Sequence, residues 1–125
     1  TGKTGPYIQY MHARIRSIQR KSESTGGKFD SELATLLTHP VERKLLIAIA
    51  QFPDVVATAA DALDPSTLAQ FLYDFAKLFA EFYHDVPVLK ADADVRTARL
   101  ALVDAARAVL ARGLTILGIV PIEEM

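Results

Sequence analysis

"LDPSTLAQFLYDFAKLFAEFYHDVP" (63–87) carries Leu68, Phe71, Leu72, Phe75, Leu78, Phe79 and Phe82. Steps of three and four residues put these side chains on one broad face of a helix, where a strand would alternate them. Asp64 followed by Pro65 opens the helix as N-cap and first position, and Pro87 stops it. The same periodicity extends in both directions.

Upstream, "THPVERKLLIAIAQF" (38–52) repeats the signature with Pro40 first and Glu42 in the first turn. Leu45 to Ala50 are apolar on nearly all sides, so this helix is expected to be deeply buried. Pro53 is expected to end it, with a further helix over 54–63. Downstream, a helix opens after Asp92 or Asp94 and runs to about Leu117, with Gly118 as its C-cap. Val95, Ala98, Leu102, Ala106, Val109, Gly113 and Ile116 mark its core stripe. A mid-helix glycine costs about 1 kcal/mol against alanine, so Gly113 implies close helix packing that a larger side chain would loosen.

The chain begins "TGKTGPYIQYMHARIRSIQRK" (1–21), with a helix expected from Pro6 to Lys21. Ile8, Met11, Ile15 and Ile18 form its core stripe. Tyr7, Tyr10, Arg14, Ser17 and Lys21 form a second stripe about 100° away. A polar loop covers 22–31, and a short helix is weakly signalled over 31–37. No alternating strand of useful length is present. The fold class is all-α, a bundle of about five helices in a single domain over 1–125. Residues 1–5 lead in, 119–125 form a C-terminal tail, and the whole reads as a piece of a larger protein.

Composition removes several functions. Gly2-Lys3-Thr4 mimics the end of a phosphate-binding loop, but that motif requires a preceding strand and glycine-rich turn, and Gly5-Pro6 suit a helix entry instead. With no cysteine, thiolate metal sites are excluded, and His12, His39 and His84 lack metal-ligand spacing. No run of apolar residues suits a membrane span. The acidic pairs Asp92/Asp94 and Glu123/Glu124 are explained by a helix cap and a tail, so no catalytic residue is assigned.

Charge is more informative. Residues 1–28 carry a balance of +5, while the other 97 carry −6, although the whole chain is only −1. A basic end suits a polyanion, and a merely solvated basic helix suits the same numbers. The flank of Tyr7, Tyr10 and Arg14 stands in the same balance. Splayed RNA bases stack on aromatic rings and guanidinium planes. A half-buried aromatic flank with a solvated arginine gives the same spacing. Pattern alone reads Tyr83, at the end of the phenylalanine-rich helix, as packed with a wet hydroxyl.

"TGPYIQYMHARIRSI" (4–18) resembles the opening of the C-terminal DALR anticodon-binding domain of arginyl-tRNA synthetases. The likeness continues through 39–56, 68–89 and 96–125, where F-Y-H-x-x-P-V-L and a terminal L-G-I-x-x-x-E-x-M recur. The name-giving stretch reads Asp104-Ala105-Ala106-Arg107, with alanine where the pattern has leucine. This resemblance implies that Tyr7, Arg14, Tyr83 and Met125 contact the anticodon loop of tRNA(Arg), with Tyr10, His12 and Arg16 as neighbours. It also implies an upstream catalytic domain in the parent enzyme, which uses ATP with Mg to charge tRNA. No cofactor is expected in this piece, no membrane or DNA partner, and the location is cytoplasmic. The anticodon domain of a cysteinyl or glycyl synthetase, or a helical protein–protein module, stays open beside it.

Overall fold

A computed structural model describes residues 4–22 and 31–124. The elements are α1 (Thr4–Ser22), α2 (Ser31–Ala34), α3 (Pro40–Asp61), α4 (Pro65–Asp85) and α5 (Ala93–Ile116). No strand occurs among the described residues. The expected loop over 22–31 falls mostly on residues 23–30, outside the described ones.

The helices stack in three layers. α4 and α5 pack together in the middle, each also contacting both α1 and α3, while the backbones of α1 and α3 do not approach closely. The core stripe of α1 is buried throughout, with Ile8 and Ile15 wholly covered. Phe75, Phe79 and Phe82 of α4 are buried with them. α5 reaches every other helix, and alanines at 98, 101 and 106 let its neighbours approach closely. At Gly113 a Cβ would overlap the side chain of Leu72, which explains the glycine.

Several boundaries differ from expectation. α3 does not stop at Pro53; it continues to Asp61 as one helix. The proline removes one backbone donor, at a cost of about 3 kcal/mol. Pro53 is solvent-exposed, however, and the apolar stripe runs on through it. Phe52 packs against Phe71 with ring centroids 6.1 Å apart, and Ala59 is buried a turn and more beyond. Packing outweighs the local rule. Nor is α3 buried all round: Ile47 is 58% exposed, because an outer-layer helix has one wet side. Ile116, placed in the α5 core stripe, is likewise exposed in the last turn.

The caps of α3 and α4 follow the sequence closely, whereas Asp92 stands at the N-cap of α5 without a side-chain capping bond. His39 and Glu42 form a reciprocal capping box on α3. Asp64 accepts from the Ser66 amide at 3.0 Å. Both α3 and α5 end in a Schellman motif, with the paired bonds Leu63 N–H to Ala60 and Asp64 N–H to Ala59, and Gly118 N–H to Thr115 and Ile119 N–H to Leu114. The left-handed residue is Gly118 (φ 78°) in α5 but Leu63 (φ 51°) in α3.

Candidate nucleic-acid interface

α1 and α4 lie side by side in parallel, and their aromatic residues meet in register. Tyr7 packs on Tyr73 with centroids 5.2 Å apart at 58°. Seven residues along α1, the Arg14 guanidinium lies 6.0 Å from the ring centre of Tyr83. Tyr83 in turn stacks on buried Phe79 at 6.3 Å and 9°, which fixes its ring plane. Tyr10 stands on the same flank of α1, 45% exposed. The chain has four tyrosines and no tryptophan, and all four lie along this α1–α4 groove. The described phenylalanines go to the core instead. A phenol is the aromatic suited to a half-wet position, with an apolar face and a polar rim. Burial, with Tyr73 beside it, raises the Tyr7 pKa above the ordinary tyrosine value, and Arg14 partly opposes that. Tyr7 therefore stays a neutral hydrogen-bond donor across the physiological range.

The residues at 119–124 run along another face of α1, about 150° round from the tyrosines at 100° per residue. Gln9 donates to the Val120 carbonyl at 3.0 Å, the His12 ring pairs with the Ile122 carbonyl at 2.8 Å, and Arg20 donates to the Glu123 carbonyl at 3.3 Å. Arg16 binds the Glu123 carboxylate at 3.0 Å. His12 is buried and Arg16 is ion-paired, so both hold the tail and neither faces the groove. Met125 lies outside the described residues.

Asp104 and Arg107 also belong to this brace. Arg107 and Gln19 both donate to one Asp104 oxygen, at 2.9 and 2.8 Å, and Arg16 donates to Gln19 at 2.9 Å. The chain of bonds runs from α5 through α1 to Glu123. Ala106, between them, is fully buried.

The DALR anticodon binding domain family matches residues 8–125. The chain belongs to that family. The arginine–tRNA ligase of Archaeoglobus fulgidus is 45% identical over 126 residues, covering 98% of this chain and 22% of that ligase. The ligase of Treponema denticola is 42% identical over 130 residues, covering 100% of this chain and 22% of its own length. The DALR domain also superposes on the solved Thermus thermophilus arginyl-tRNA synthetase with TM-score 0.83 and 37% identity, over 96% of this chain and 21% of that one. It thus spans about a fifth of the relatives it matches. The resemblance carried by 4–18 and the later motifs is therefore shown at family level, as is the all-α class.

Among the sequence-predicted site residues, the DALR domain brings Tyr7, Arg14 and Tyr83 together, with Tyr10 alongside. Sequence reasoning missed Tyr73 and Lys77, which lie in a run read as core. The available signal was a tyrosine among phenylalanines. Among the described residues, no group of histidine or acidic side chains is arranged to hold a metal, and no helix is long and apolar enough to cross a membrane.

Proposed function

We propose that this domain reads the anticodon loop of tRNA(Arg) for an arginine–tRNA ligase of which it is one part. The observation that carries the reading is the convergence of all four tyrosines with Arg14 on one half-exposed groove. Loop nucleotides leave their stack there, and bases pack on the rings of Tyr7, Tyr10 and Tyr83. Arg14 supplies a charged donor for a base edge or a phosphate. His12 and Arg16 act one step removed, by fixing the tail whose last residue, Met125, is proposed to face the same loop. The 125 residues act as a single domain. Activation of arginine with ATP and Mg falls to other parts of the parent chain, and the enzyme works in the cytoplasm. The names of the relatives favour arginine over a cysteinyl or glycyl partner.

Titration with an arginine anticodon stem-loop, a scrambled loop and a cysteine loop across a salt series tests this. The arginine loop is expected to bind most tightly, and Tyr7→Ala to lose about 1–3 kcal/mol of that binding. Equal, weak binding of all three loops with no effect of Tyr7→Ala would remove the reading.

A further inference from the structure

Beyond the tyrosines already assigned, α4 holds a second set of groups on the same groove. The Lys77 ammonium lies 5.4 Å from the ring centre of Tyr73. Lys77 is solvent-exposed, and no carboxylate pairs with it among the described residues. Tyr73 forms one wall of an open pocket of about 650 Å³ between the start of α1, the start of α4 and the first tail residues. Ile8, Leu117 and Ile119 supply apolar surface there, and Ser66 and Gln70 supply polar edges. A volume of that size suits a small aromatic ligand held by a few polar groups. Its position next to the Tyr7–Tyr73 pair makes it continuous with the groove.

We propose that this pocket is a second nucleotide subsite, in which Tyr73 stacks a single-stranded nucleobase and Lys77 binds the adjoining phosphodiester. It rests on the anticodon-loop reading and extends it along the strand: one base at Tyr7, a neighbouring base at Tyr73. Phe79, which backs Tyr83, has no such role because it is fully buried. Tyr73 backs Tyr7 in a similar way yet keeps part of its ring accessible beside a cation.

The test is RNA titration of the 125-residue chain and its Tyr7→Ala, Lys77→Gln and Tyr73→Leu variants across a salt series. Tyrosine emission reports stacking directly, since no tryptophan masks it. Lys77→Gln is expected to weaken binding and to lower the slope of log affinity against log salt by about 0.7, one single-strand phosphate. Tyr73→Leu is expected to weaken binding about 5- to 150-fold, the range for one lost base stack. If Tyr7→Ala weakens binding while Lys77→Gln leaves affinity and slope unchanged, the subsite is overturned and the anticodon reading stands. The subsite is overturned in that case even when Tyr73→Leu binds weakly, since Tyr73 would then merely support Tyr7. If the unaltered chain binds no RNA, both fall.

Discussion

At Leu63 the backbone is left-handed and the side chain is 89% exposed, so the residue contributes strain and almost no burial. An L side chain in that conformation costs about 1–2 kcal/mol relative to the right-handed one, and glycine escapes most of that. Leu63→Gly should therefore stabilise the domain by about 1 kcal/mol, read from the urea midpoint at constant slope. One residue on, Asp64 binds the Ser66 hydroxyl and amide, and the hydroxyl bond is the larger cause of its lowered pKa. A depressed folded value means its contribution is present above the unfolded carboxylate value, 3.8, and fades as pH falls through the folded one. Asp64→Asn keeps a capping oxygen but does not titrate. Stability measured from pH about 6 to about 2 should fall more steeply for the natural chain than for Asp64→Asn.

Among the elements, α3 shows both how far sequence patterns reach and where they stop. Its start is legible because His39, Pro40 and Glu42 cap it through contacts within four residues. Its continuation past Pro53 is not, because the outcome depends on Phe71 of another helix. Glu42 raises the same point. It caps its own helix, yet its fully buried carboxylate also meets Arg99 of α5 at 2.8 Å, and Arg99 donates onward to the Pro87 carbonyl at 2.7 Å. One guanidinium thus ties α3, α5 and the turn after α4. Removing it strands a buried charge, so Arg99→Met should cost about 3–5 kcal/mol in urea unfolding. Adding Glu42→Gln to that variant should recover part of the loss, since the amide needs no counter-charge.

For the whole molecule, the core stripes of α1 and α4 were readable because a period of about 3.6 residues is a property of one helix at a time. The groove was only half readable. Tyr7, Tyr10 and Arg14 declare themselves on α1, but their meeting with Tyr73 and Tyr83 requires the parallel pairing of α1 and α4. The tail was the least legible part, since three of its four holds on α1 are carbonyl oxygens. Every residue carries such an oxygen, so no letter of the sequence marks it. That anonymity also has a use. Gln9, His12 and Arg20 grip the backbone of the tail whatever side chain Val120, 68% exposed, displays outward. A substitution at Val120 is therefore expected to leave the path of the tail intact, so the surface presented to solvent there is free to diversify while the helix beneath stays the same.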